Sequence, residues 1–248
     1  MSSNGYGAKK AMNKPFAKIA ARLAHLTQLS VVLAMSLPHL SHADTPVTLL
    51  ALGDSLTAGY GLDQGDGFVP QLQTWLHTHG RNVTVINAGV SGDTTAGGRA
   101  RLGWSLTDEV DLVLVNLGGN DMLRGLPATE TRRNLDAILT EINTRNLPSV
   151  LIRVPASLNF GTAEKAAYDQ AFADLASKHG STFIPNFFAA LEAPGATQED
   201  RQAALRDYMQ PDGLHPTRQG VKLIVDQIGP TILMALPAAT DNSADRQQ

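Results

Sequence analysis

Along this chain, short runs of consecutive apolar residues alternate with longer stretches in which apolar residues return every three or four positions. The first run, Thr48–Leu52, has the length and composition of a strand buried on both faces of a sheet. Similar runs follow at Val83–Ile86, Leu112–Leu117 and Val150–Val154, with a shorter one at Thr182–Ile184. A helix opens at Pro70, carries Leu72, Trp75, Leu76 and His79 on one face, and closes at Gly80. A second covers Thr129–Asn146, with Leu135, Ile138, Leu139 and Ile142 aligned. A third, Ala163–His179, aligns Tyr168, Ala171, Phe172 and Leu175 and is capped by Gly180. A helix at Gln198–Tyr208, a loop at Gln210–Pro216 and a last helix from about Thr217 complete the pattern. The stripe of that last helix is Val221, Ile224, Val225, Ile228 and Ile232, and Pro230 is expected to kink or shorten it. Strand and helix in alternation predict a parallel sheet with helices on both faces. No internal repeat or linker interrupts it, so one α/β domain is expected.

The first 43 residues break the pattern. Lys9, Lys10, Lys14, Lys18 and Arg22 precede the apolar run Leu29–Leu37, no acidic residue occurs before Asp44, and Ser41-His42-Ala43 forms a small-x-small site. This is the signature of a secretory signal peptide cut after Ala43, and its apolar core is shorter than the ~20 residues needed to span a bilayer. The expected organisation is therefore a signal at 1–43, a domain at 44–237 and a frayed polar tail at 238–248, in a periplasmic or secreted protein without a stable membrane anchor. Five of the 20 Lys and Arg and none of the 23 Asp and Glu lie in the leader, so the remaining domain carries a net charge of about −8. Such a domain is a poor nucleic-acid binder. With no cysteine in the chain, disulfides, thiolate metal sites, a cysteine nucleophile and a lipoprotein anchor are all excluded. Serine, carboxylate or histidine chemistry is left.

The apolar run before Ser55 stops abruptly at Gly53-Asp54-Ser55-Leu56. A serine at the point where a buried strand turns into a helix lies at the carboxyl edge of the sheet, where open α/β sheets bind their ligands. Ser55 is the candidate nucleophile. The structural alternative is an ordinary strand-to-helix turn in which Asp54 or Ser55 caps the helix. A phosphate cradle lacks its glycine-lysine signature here.

Four histidines lie outside the leader and its flank. His77 and His79 are two apart on a helix and face apart, and His179 closes a helix where the dipole favours a cation. His215 alone stands in a glycine-containing loop, Pro211-Asp212-Gly213-Leu214-His215-Pro216, three residues after an acid. A carboxylate at Asp212 can bind imidazole Nδ1 and leave Nε2 to accept a serine proton. Otherwise Asp212 caps the loop and His215 packs at the surface. Gly92 and Asn120, after the second and third strands, suit a developing oxyanion, a glycine N–H and an amide N–H being its donors. Both types are also common in turns, an account that serves Gly92 as well but fits Asn120, at the end of a buried strand between Gly118-Gly119 and Asp121, less readily. Asp121 is read as bracing the loop.

Gly53-Asp54-Ser55-Leu56, Gly92, Gly118-Gly119-Asn120-Asp121 and Asp212-x-x-His215 resemble, in order, the four blocks of the GDSL or SGNH hydrolase superfamily. The likeness spans about Val47 to Leu236. The wording GDSLTAGYG, SGDT, LGGNDMLRG and DGLHP is most similar to the periplasmic bacterial thioesterase, lysophospholipase and arylesterase branch. The resemblance implies a three-layer α/β/α fold with a flavodoxin-like, five-stranded parallel sheet of order 2-1-3-4-5 and a shallow active site. It implies Ser55 as nucleophile, His215 as base and Asp212 as its orienter, with an oxyanion hole of the Ser55 and Gly92 N–H groups and the Asn120 side chain. No cofactor and no metal are implied.

The loops after Asn120 and after the fourth strand are apolar, and Leu123, Leu126, Pro155 and Phe160 are the candidate acyl-binding residues; the alternative is that Leu123, Leu126 and Phe160 simply cover the core. Aromatics are only 5% of the chain, too few for a carbohydrate platform. The expected substrate is a small acyl ester or thioester, handled by a monomer. A carbohydrate O-acetylesterase of the same superfamily and a non-catalytic lipid-binding relative are the alternatives.

Overall fold

The computed structural model describes residues 46–155, 161–192 and 197–238. The signal peptide expected at 1–43, the tail expected at 238–248 apart from its first residue, and Phe160 lie outside the described residues. Among the described residues there are five strands: β1 (Val47–Gly53), β2 (Val83–Gly89), β3 (Leu112–Asn116), β4 (Ser149–Ile152) and β5 (Thr182–Ile184). The helices among the described residues are α1 (Ser55–Ala58), α2 (Phe68–Thr78), α3 (Thr95–Ser105), α4 (Gly119–Leu123), α5 (Ala128–Thr144), α6 (Thr162–His179), α7 (Gln198–Tyr208) and α8 (Arg218–Ala235). A 3₁₀ turn at Ala189–Leu191 precedes α7. The strands pair in parallel in the order β2-β1-β3-β4-β5, the order the resemblance implies.

Alternate residues of each strand face opposite sides, and each side has its own helices. Leu49, Ala51, Leu112, Leu114, Val150 and Ile152 pack with Leu72 and Leu76 of α2 and Ile224 and Ile228 of α8. Leu50, Leu52, Val113, Val115 and Leu151 pack with Leu102 of α3, Ile138 and Leu139 of α5 and Phe172 of α6. Because both faces are covered, all five residues of β3 are buried and its first four, Leu112–Val115, read as one apolar run.

The register decides where the loops emerge. Gly53 of β1 pairs with Gly89 of β2 and with Asn116 of β3, so the three strands end level. Arg101 of α3 fastens this edge: its guanidinium donates to the carbonyls of Gly53 (2.8 Å) and Ala88 (2.7 Å) and to Asp93 (2.7 Å). One planar fork thus joins the ends of β1 and β2.

Several boundaries differ from the sequence reading. The helix expected at Pro70 starts two residues earlier, at Phe68, with the proline in its first turn, where its missing N–H costs nothing. The last helix runs on to Ala235, so Pro230 does not shorten it. Two helices, α3 and α4, were not expected. In α3 the glycine that lowers propensity is also what lets the helix approach the sheet: a Cβ at Gly98 would lie 2.3 Å from Leu117 Cδ1. Among the described residues, no helix is long and apolar enough to cross a membrane.

Candidate active site

Ser55 is the first residue of α1, set there because Asp54 caps the helix: the Asp54 carboxylate accepts from the Leu56 N–H at 3.0 Å. The 3₁₀ turn, α7 and the Gln210–Pro216 loop then carry the chain back to this edge. Met209 and Pro216 form an isolated antiparallel bridge that closes the loop, and Thr217 caps α8 behind it.

Inside that loop Asp212 accepts from the backbone N–H groups of Leu214 (2.9 Å) and His215 (3.0 Å) through one oxygen. Its other oxygen lies 2.6 Å from His215 Nδ1. Partial burial pushes the Asp212 carboxyl up, but the hydrogen bonds from His215 and the two backbone N–H groups outweigh it and hold its pKa at about 2. An ionised carboxylate only accepts, so Nδ1 is the donor, and in the neutral imidazole Nε2 then presents a lone pair. Ser55 Oγ sits 2.8 Å from that Nε2. Residues 160 positions apart in sequence thereby form one hydrogen-bonded line from Asp212 through His215 to Ser55.

Asn120 stands on α4, and its Nδ2 donates to Asp54 Oδ2 at 3.2 Å. Asp54 is only 2% exposed, and burial lifts its pKa to about 6 against the opposing pull of the Leu56 N–H, Asn120 and His215. When ionised, it orients the Asn120 amide with its NH₂ group inward and leaves a second N–H to donate elsewhere. The helix-cap reading of Asp54 thus accounts for one oxygen and leaves the other to hold Asn120. Gly92 has φ 81°, and its carbonyl accepts from Arg124 Nη2 at 2.6 Å. Asp121 is fully buried and accepts from the Thr95 N–H (2.8 Å), the Thr95 hydroxyl and the Thr131 hydroxyl. It ties α3, α4 and α5 together, as a bracing residue does.

Ser55, Gly92, Asn120 and His215 all line one cavity of about 690 Å³. Leu123 and Pro155 line it as well, whereas Leu126 stands outside the lining, exposed on the loop after α4. Much of the remaining apolar wall comes from places no motif marks: Phe188 and Leu191 in the 3₁₀ segment, and Ala204 and Met209 at and beyond α7. Sequence reasoning also missed Asp54 as a support for Asn120, and Arg101, for which no spacing offers a signal. Among the described residues, the other histidines are engaged elsewhere. His77 contacts the Val83 carbonyl (2.8 Å), and His79 stacks on Trp75 at 3.6 Å. His179 lies 2.6 Å from Asp136, whose carboxyl Lys178 and His179 hold below its ordinary range.

An arrangement of this kind can activate a hydroxyl, transfer an acyl group to it and donate to an oxyanion. The chain belongs to a family of that character: residues 51–223 match the GDSL-like Lipase/Acylhydrolase family. Esterase TesA of Pseudomonas aeruginosa is 33% identical over 186 residues, 75% of this chain and 87% of that protein. Thioesterase 1/protease 1/lysophospholipase L1 of Escherichia coli is 32% identical over 180 residues, 72% of this chain and 80% of its own. The solved structure of AlinE4, an SGNH-hydrolase family esterase, superposes with a TM-score of 0.60 at 40% identity, covering 78% of this chain and 98% of that one. This protein is an SGNH-type hydrolase acting on ester bonds.

Proposed function

We propose that the protein is an exported serine esterase that hydrolyses acyl esters and thioesters through an acyl-enzyme on Ser55. The single observation that carries this reading is the 2.8 Å contact of Ser55 Oγ with the Nε2 of an imidazole whose other nitrogen is held by Asp212.

In the first half-reaction Ser55 Oγ bonds to the acyl carbon while its proton passes to His215 Nε2. Asp212 supports the imidazolium so formed. The carbonyl oxygen becomes an oxyanion, met by the N–H groups of Ser55 and Gly92 and the amide of Asn120. Collapse breaks the bond to the alcohol or thiol, which leaves with the proton from His215. Water then attacks the acyl-serine, giving its proton to His215, which returns it to Ser55 as the free acid departs. The basic leader at 1–43 supports the assignment to the periplasm or exterior.

The cavity speaks to the substrate. Phe188, Leu191, Met209 and Leu214 give it apolar walls suited to an acyl chain rather than a sugar, which weighs against the carbohydrate deacetylase. The test is a panel of p-nitrophenyl esters of rising chain length beside a lysophospholipid and an acyl thioester. The reading expects kcat/KM to rise from acetate to a medium chain in wild type, with Ser55→Ala inactive throughout. Binding of these compounds without turnover would indicate a lipid carrier instead.

A further inference from the structure

We propose that Tyr60 and Gln210 form a positioning couple that sets His215 against Ser55 and supports the charge the imidazole gains; this rests on His215 being the general base. Asp212 lies only three residues before His215, so their contact fixes the ring within its own loop. It does not fix that loop relative to α1, which carries the nucleophile. Tyr60 and Gln210 join the two.

Tyr60 lies in the turn leaving α1, its N–H donating to the Ser55 carbonyl at 3.1 Å. Its ring centroid is 4.6 Å from that of His215, with the planes inclined at 38°. The residue is large and 53% exposed, so burial in the core does not explain its position. It borders the cavity and covers the imidazole. An aromatic face within about 6 Å of a forming cation attracts it, and the attraction grows as water is kept away.

Gln210 holds the turn and the loop together. Its Nε2 donates to the Tyr60 carbonyl at 2.9 Å and to the Pro216 carbonyl at 2.9 Å. Its backbone N–H donates to the His215 carbonyl at 2.7 Å, and its own carbonyl accepts from the Gly213 N–H at 2.9 Å. One residue therefore closes the histidine loop and fastens it to a turn 150 positions away in sequence. Gly61 makes room for this: its φ is +73°, and a Cβ there would lie 2.3 Å from Gln210 Oε1. The turn of Tyr60 and Gly61 is shaped to receive that amide.

The test is steady-state hydrolysis of p-nitrophenyl acetate, whose short acyl group makes little use of the cavity, with the thermal midpoint of each variant measured alongside. Tyr60→Leu keeps an apolar side chain and removes the ring; it is expected to lower kcat roughly 5- to 30-fold with little change in KM. Tyr60→Phe restores the ring and recovers most of kcat. Gln210→Ala and Gly61→Ala lower kcat as well, and the double variant Tyr60→Leu/Gln210→Ala loses less than the product of the single losses, since both act through one imidazole. The low-field proton NMR signal of the His215–Asp212 hydrogen bond stays sharp in wild type and Tyr60→Phe and broadens in Tyr60→Leu. Wild-type kcat in Tyr60→Leu, a Tyr60→Phe variant as impaired as Tyr60→Leu, or losses that track only the thermal midpoint would overturn the proposal. Ser55→Ala, run in parallel, separates the two levels: turnover surviving there removes the reading of the nucleophile itself, whereas an inactive Ser55→Ala beside a fully active Tyr60→Leu removes only the couple.

Discussion

Asn120 donates through Nδ2 to Asp54 Oδ2 across 3.2 Å, and the other oxygen of the same carboxylate caps the helix that begins at Ser55. One buried acid thus aligns the helix of the candidate nucleophile with a candidate oxyanion donor. The arrangement has a cost, because Asp54 is held in a site that raises its pKa to about 6. Burial of the charge is the main cause.

Replacing Asp54 by Asn removes the charge but keeps only one of the two acceptor oxygens, so either the helix cap or the Asn120 contact faces a second donor. Asp54→Asn is expected to lose about 1–2 kcal/mol of transition-state stabilisation, roughly 5- to 30-fold in kcat. Its effect on stability runs the other way. With the folded pKa near 6 and the unfolded value near 3.8, the folded state keeps a proton the unfolded state has lost between those pH values. Wild-type stability therefore falls as pH rises through that window and levels off above it, a penalty on the order of 3 kcal/mol. Urea unfolding from pH 4 to 7 should show this slope in wild type and its loss in Asp54→Asn.

Asn120→Ala tests the donor directly. Loss of one oxyanion-hole donor costs about 2.7–4 kcal/mol of barrier, so kcat should fall by a factor on the order of 10²–10³ while KM moves little. An unchanged kcat would leave Asn120 only as the structural partner of Asp54.

Arg101 makes a structural prediction. Arg101→Ala removes three charge-assisted hydrogen bonds at a partly buried edge, leaving the Gly53 carbonyl only the Val90 N–H at 3.0 Å, and is expected to destabilise the fold by about 2–3 kcal/mol. Arg101→Lys should recover little of this, since one ammonium cannot reproduce three contacts held in a fixed fork. Thermal or urea unfolding of the two variants decides it.

How much of this was legible beforehand follows from physical distance along the chain. The strands were readable because a sheet covered on both faces demands unbroken apolar runs such as Leu112–Val115, all of it buried. The helix α3 was not, since Gly97, Gly98 and Gly103 depress its propensity and its buried positions are Thr95, Gly98 and Leu102, a single large apolar residue among them. At five residues, α4 is too short to show a period. Ser55, Asn120 and the Asp212–His215 pair stood out because each sits in a compact motif at a strand or helix boundary. Phe188, Leu191, Met209 and Gln210 carry no local mark, and Tyr60, although within GDSLTAGYG, carries none of its own; their meaning comes only from contacts the fold makes between distant segments.

Everything turns on whether Ser55 is the atom that takes the acyl group. Incubation with an alkyl p-nitrophenyl phosphonate, followed by intact-mass and peptide-mass analysis, asks this directly, because the phosphorus stays on the nucleophile once p-nitrophenolate leaves. The account predicts one phosphonyl group per chain, carried on the peptide containing Ser55, with ester turnover lost in step, and neither label nor turnover in Ser55→Ala. Labelling at another residue, or undiminished ester hydrolysis by Ser55→Ala, would contradict it.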